Sequence, residues 1–214
     1  HLWGPASFLD SFSIDRPSLA WVFMLTTTIF KESTVGWQLF GVATRWLAGL
    51  TLWWALLGLW PRRAAQAFWV AALLVIYPGF SQQYTSVTYS NAFLVFTLFL
   101  VSLGSMVWAQ RKPGWFWPLT FLALITQVVS MSMTEYFFGL ELLRPAFLWL
   151  MMARQDEPAA RRLRRVTLRW LPYLLAAAGF LIDRLFFHQT PRGEILLFEQ
   201  LLTSPFWTLL RLTV

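Results

Sequence analysis

The 214-residue chain contains no cysteine and only two histidines, His1 and His188. The absence of cysteine excludes disulfide and thiolate chemistry. Two histidines so far apart do not predict a metal cluster, and we expect His188 at a membrane interface. The sequence also lacks the glycine-rich phosphate and dinucleotide loops, the zincin H-E-x-x-H pattern and the serine-hydrolase elbow. Enzyme classes that depend on those patterns therefore lose their usual signatures.

Charge is also scarce, because only 13% of residues are charged, whereas 57% are hydrophobic and 18% aromatic. A soluble domain has about 25% charged residues, so the composition predicts a polytopic membrane protein. The formal net charge of +7 could indicate nucleic acid binding. The clustering of cationic residues in a few loops of a membrane protein explains this positive charge better. We therefore expect the membrane, and not a nucleic acid, as partner.

Three basic segments orient the chain. The longest has the sequence RQDEPAARRLRRVTLR at residues 154–169, and residues 61–63 and 111–114 each carry two further Lys or Arg. Short loops rich in arginine stay on the cytoplasmic side. The sequence therefore predicts a multi-pass protein of a bacterial cytoplasmic (inner) membrane, with basic loops inside and the loop that carries Asp15 outside.

Hydrophobic runs predict an all-α transmembrane bundle with six full spans. The predicted spans are residues 37–60, 64–80, 91–109, 115–133, 136–153 and 170–187. Residues 17–30 form one apolar run too short to cross about 30 Å of hydrocarbon, which predicts an interfacial helix. We expect one transmembrane domain fragment over 1–214: an outer loop over 1–34, the spans over 35–187, and an outer loop with a truncated span over 188–214.

The first candidate site lies before the short helix, where Asp15, Arg16 and Pro17 follow Asp10. A carboxylate on the outer surface could act as a general base, and an arginine could hold phosphate oxygens through two hydrogen bonds. The alternative is that Asp15 caps the helix while Arg16 contacts lipid headgroups.

Charged residues inside the predicted spans are a second group. An ionised side chain at mid-span costs about 2.5–3.5 kcal/mol, so such residues face a protein interior or a wet cavity. The group comprises Arg45, Glu135, Glu141, Arg144, Asp183 and Arg184. We expect all of them except Arg144 in the outer half of the bundle or at its rim. Glu141 and Arg144 are three residues apart and can pair on one helical face. Such a pair could also only fix helix register.

The predicted outer loop SQQYTSVTYS, residues 81–90, is uncharged and rich in hydroxyl and amide groups. Tyr89 and its neighbours could therefore donate hydrogen bonds to a sugar. An ordinary polar loop is the alternative interpretation.

Four stretches carry a family resemblance: DRPSLAW at 15–21, TRWL at 44–47, YPG at 77–79 with TYS at 88–90, and TEY at 134–136 with GLELLRP at 139–145. In this order they resemble the GT-C glycosyltransferases that use polyprenyl-phosphate sugars. The bacterial relatives of protein mannosyltransferases and of the lipid A aminoarabinose transferase are the most similar. The resemblance covers roughly residues 10–169.

The resemblance implies a GT-C fold and inverting transfer of a sugar from a polyprenyl-phosphate donor to a lipid, glycan or protein acceptor. A carboxylate of the outer loop, Asp15 or Asp10, would deprotonate the acceptor. The residues implied to bind substrate are Arg16, Arg45, Tyr89, Glu135, Glu141, Arg144 and Arg184. In the family, the first outer loop carries an adjacent acidic pair. The outer loop over residues 1–34 of this chain has no such pair, which leaves open an acid upstream of His1. No cofactor is specified, and a divalent metal stays open.

Two other classes compete with a transferase. In a transporter or flippase for a lipid-linked sugar, Glu141, Arg144 and Asp183 would be coupling charges. In a non-catalytic membrane subunit, the charges would only assemble helices.

Overall fold

A computed structural model describes residues 16–77, 85–153 and 158–186. This part of the chain is built from helices and their connecting turns, as predicted. Its α-helices are α1 (Pro17–Phe30), α2 (Thr34–Leu59), α3 (Ala64–Ile76), α4 (Ser86–Arg111), α5 (Phe116–Met133), α6 (Leu143–Met152) and α7 (Ala159–Phe186). Three short 3-10 turns, Pro61–Arg63, Pro113–Trp115 and Phe138–Leu142, lead into α3, α5 and α6.

Local sequence signals set several of these boundaries. Pro17 opens α1, where its missing N–H costs no hydrogen bond. Ser33 caps α2, because its Oγ accepts a hydrogen bond of 3.1 Å from the Gly36 N–H. Pro61 and Pro113 follow the C-terminal residues of α2 and α4, where a proline no longer interrupts a helical hydrogen bond.

Among the described residues, four helices are long and apolar enough to cross a membrane: Thr34–Leu59, Ser86–Arg111, Pro113–Met133 and Ala159–Arg184. They indicate a membrane protein, and the predicted count of six spans is not confirmed. The predicted span over 64–80 contains the 13-residue helix α3, which is about 20 Å long. The predicted span over 136–153 is divided into a 3-10 turn and the ten-residue helix α6. Pro145 lies in the first turn of α6, close to the start of this helix at Leu143. We expected Pro145 to permit a kink inside one longer helix.

The packing of α4 against α2 and α5 forms the centre of the bundle. Phe99, Leu103, Met106 and Val107 of α4 are almost fully buried. At Gly104 an added Cβ would lie 2.3 Å from the Trp54 ring. The absence of a side chain at Gly104 therefore permits the close contact of α2 and α4.

Large apolar side chains cover the outside of the bundle. Trp117 and Phe121 of α5 are 78% and 67% exposed, and Trp69 of α3 is 65% exposed. α2 and α7 also present exposed leucines. A surface of this kind is unfavourable in water and suits contact with lipid chains.

The basic segments meet at one end of the bundle. Arg111 donates hydrogen bonds to the carbonyls of Gly58 and Leu59, at the C-terminal end of α2. The Arg169 guanidinium of α7 lies 4.3 Å from the Phe116 ring centroid, at the start of α5. We call this the basic end. Its cytoplasmic placement stays a prediction.

Candidate functional site

Two arginines from distant parts of the chain converge on one carboxylate at the end of the bundle opposite the basic end. Arg16 Nη2 donates to Glu135 Oε1, and Arg184 Nη2 donates to Glu135 Oε2 at 3.4 Å. We call these three residues the rim cluster. The structure thus brings together three of the predicted site residues. In the sequence, Arg16 lies 119 positions before Glu135 and Arg184 lies 49 positions after it.

The rim cluster is partly open to solvent, since the Glu135 side chain is 45% exposed and each arginine side chain is 17% exposed. The Arg16 guanidinium also lies 5.0 Å from the Tyr136 ring centroid. Burial lowers the pKa of Arg16, but hydrogen bonds to Tyr136 and Glu135 raise it by more, so this pKa lies above its ordinary value. Arg16 therefore stays cationic at any physiological pH.

A cavity of about 150 Å³ adjoins the rim cluster. Apolar and polar side chains from α1, α4 and the segment after α5 line it together. The lining residues include Leu19, Phe23, Val95 and Phe137 on the apolar side, and Arg16, Thr88, Asn91, Thr134 and Tyr136 on the polar side. Most of the exposed lining is apolar, and Arg16 belongs both to the lining and to the rim cluster. The cavity therefore suits the apolar part of an amphiphilic ligand whose polar group lies at the rim cluster.

The pairing predicted for Glu141 and Arg144 is present as the centre of a buried network. Arg144, with no exposed surface, donates to both carboxylate oxygens of Glu141, at 3.0 Å to Oε1. It also donates to Ser102 Oγ at 2.9 Å. Gln127 Nε2 donates to Glu141 Oε2 at 2.8 Å and to the Tyr173 carbonyl at 3.1 Å. We call these five residues the core network.

The core network lies near the middle of the long helices, whereas we expected Glu141 in the outer half. Ser102, Gln127 and Tyr173 each occupy a central position in α4, α5 and α7. Sequence reasoning missed Ser102 and Gln127 as partners. The available signal was a glutamine within an apolar run, because a polar side chain in a span needs a partner.

The remaining described candidates occupy other positions. Arg45 lies near the middle of α2, where its Nη2 donates to the Tyr77 carbonyl at 2.8 Å and its guanidinium lies 6.0 Å from the Phe93 ring centroid. Tyr89 is half-buried in the first turn of α4, and Asp183 is exposed on α7. Arg45 therefore joins α2 to the end of α3.

Three predicted residues, Asp10, Asp15 and His188, lie outside the described residues. The assignment of Asp15 or Asp10 as general base therefore stays a prediction. Within the described ranges, no group of three or more His, Cys, Asp or Glu side chains could hold a metal ion.

Comparisons with protein-family models, with curated proteins and with solved structures give no match for this chain.

Proposed function

We propose that this chain belongs to a membrane glycosyltransferase that moves a sugar from a polyprenyl-phosphate donor to an acceptor. The reaction takes place at the rim cluster, which faces the outer side of the cytoplasmic membrane. The observation that carries this proposal is the convergence of Arg16 and Arg184 on Glu135 beside a mostly apolar cavity. The resemblance of residues 10–169 to GT-C enzymes adds the reaction type.

The chemistry of a lipid-phosphate donor matches the two parts of this site. Guanidinium groups bind phosphate oxygens through paired hydrogen bonds. Glu135 holds Arg16 and Arg184 close together before the donor binds, so little side-chain freedom is lost on binding. The apolar wall formed by Leu19 and Phe23 can contact the first isoprene units, while the donor enters laterally from the bilayer.

In the proposed reaction, a carboxylate of the outer loop, for which Asp15 is our candidate, takes the proton of the acceptor hydroxyl. The acceptor oxygen forms a bond to the anomeric carbon, and the bond between that carbon and the phosphate oxygen breaks. The lipid phosphate leaves with the bonding electrons. Arg16 and Arg184 stabilise the charge that develops on it.

Radiolabel transfer from a panel of polyprenyl-phosphate sugars, in membranes containing the protein, tests the proposal. We expect Arg16→Ala to lower transfer on the order of a hundredfold at normal protein level, since it removes a charge-stabilising donor. Arg62→Ala, which removes an exposed cation at the basic end, is the matched control. Asp15→Asn tests the proposed base. Undiminished transfer by Arg16→Ala would remove the rim cluster from the active site.

A transporter or flippase for a lipid-linked sugar is the second candidate, and the core network favours it. A buried carboxylate and guanidinium in the middle of a bundle are the type of groups that line translocation pathways. We would adopt the transporter in place of the transferase as the proposed function if two results were obtained together: no donor supports transfer, and a fluorescent lipid-linked sugar moves across the bilayer of proteoliposomes that contain the protein.

A further inference from the structure

A second cavity lies at the basic end, far from the rim cluster. It has a volume of about 240 Å³ and is lined by Trp54, Trp108, Lys112, Trp115 and Leu119. Three of its five lining residues are tryptophans, a side chain that is typical of the level where hydrocarbon meets headgroups. The rim cluster and the core network use none of these residues, so this cavity has no role in the proposed function. We call it the tryptophan cavity.

Two contacts hold the walls of the tryptophan cavity in place. The Trp108 indole N–H donates to the Trp54 carbonyl at 3.0 Å, and the two ring systems stack with centroids 6.3 Å apart and planes 19° apart. Two glycines make room for the rings, because an added Cβ would lie 2.3 Å from Trp54 at Gly104 and 3.0 Å from Trp108 Nε1 at Gly58. The apolar walls are thus preformed.

Lys112 provides a cation where these walls open. Its Nζ lies 5.2 Å from the Trp108 ring centroid, and the residue is exposed. The guanidinium of the neighbouring Arg111 donates hydrogen bonds to the carbonyls of Gly58 and Leu59. A lysine ammonium on a flexible stem binds phosphate as a point charge.

We propose that the tryptophan cavity binds an anionic phospholipid, with part of an acyl chain between Trp54, Trp108 and Leu119 and the headgroup phosphate at Lys112. Charge complementarity selects an anionic headgroup, because the segments around the cavity carry Lys and Arg. The apolar walls select a lipid over free inorganic phosphate, which has nothing to place against the indoles. Trp115, which lines the cavity, is 63% exposed, so a lipid chain can contact the cavity wall from the bilayer.

Native mass spectrometry of the purified protein tests this site, with phosphatidylglycerol and phosphatidylcholine supplied at equal concentration. Lys112→Ala removes the proposed phosphate ligand, and Leu119→Trp fills the cavity without changing charge. Arg62→Ala is the matched control, because it removes one exposed cation from the same end but does not line the cavity. Far-UV circular dichroism confirms that each variant keeps its helices.

We expect wild type to retain phosphatidylglycerol over phosphatidylcholine. Lys112→Ala should lower phosphatidylglycerol retention about fivefold, as for one cation near an anionic lipid. Leu119→Trp should lower it at least as much, and Arg62→Ala should leave it near the wild-type value. Equal retention of the two lipids by wild type, or equal losses in Lys112→Ala and Arg62→Ala, would overturn the proposal. Retention unchanged in Leu119→Trp would also overturn it, since the chain would then lie elsewhere.

Discussion

Replacing Arg144 by methionine should destabilise the protein more than any substitution at the rim cluster. The change leaves the carboxylate of Glu141, a residue that is only 7% exposed, without its cation. Its remaining hydrogen bond comes from Gln127. Removing one partner of a buried ion pair costs about 3–5 kcal/mol, because the other charge stays buried. The folding equilibrium should therefore fall by a factor of more than about one hundred.

The double variant Arg144→Met, Glu141→Gln separates the ion pair from its surroundings. A glutamine at position 141 can still accept from Gln127, and no buried charge is left. The double variant should therefore be more stable than Arg144→Met alone, with a coupling energy between the two sites of about 1–3 kcal/mol.

Reversible unfolding in mixed micelles, followed by far-UV circular dichroism as the fraction of denaturing detergent rises, measures both effects. A loss of less than about 1 kcal/mol for Arg144→Met would refute a desolvated ion pair. Strict additivity of the two single substitutions would refute the coupling of Glu141 with Arg144.

Three further substitutions test individual contacts. Gly104→Val should destabilise the fold by about 1–3 kcal/mol, because its Cβ would overlap the Trp54 ring; unchanged unfolding would contradict the close contact of α2 and α4. Arg45→Ala should lower sugar transfer at near-normal protein level if Arg45 serves the donor, and wild-type transfer would exclude it from the site. Ser33→Ala should cost about 1 kcal/mol of stability through the lost cap of α2, and an unchanged unfolding midpoint would show that the cap is dispensable.

Much of the helical framework could be predicted from sequence because its signals are local. The proline at position 17 and the basic turns with prolines 61 and 113 all act within one helical turn. The cap at Ser33 was not predicted from the sequence, and α2 begins three residues before the predicted span. The division of residues 136–153 into a turn and a short helix could not be predicted from such local signals. The apolar composition of this segment fits a continuous helix, whereas the position of Pro145 in a first turn depends on where the helix begins.

The candidate site likewise contains one part that local spacing predicts and one part that depends on tertiary packing. The Glu141–Arg144 pair follows from a spacing of three residues and could be predicted. The meeting of Arg16, Glu135 and Arg184 depends on how α1, the end of α5 and α7 pack together, and no spacing in the sequence encodes it. Charge in an apolar sequence marked these residues as candidates, but only tertiary structure assigns them to one place.

The brevity of α6 has a consequence for biogenesis. Its ten residues extend about 15 Å, half the hydrocarbon thickness. The helix contains Arg144, and Glu141 lies in the turn just before it. Such a segment cannot partition into the bilayer by its own hydrophobicity. Ser102 of α4 accepts a hydrogen bond from Arg144, and Gln127 of α5 donates one to Glu141, so both partners belong to helices that are synthesised earlier. We therefore expect α6 to enter the bundle by packing against α4 and α5, and not by inserting into the bilayer on its own.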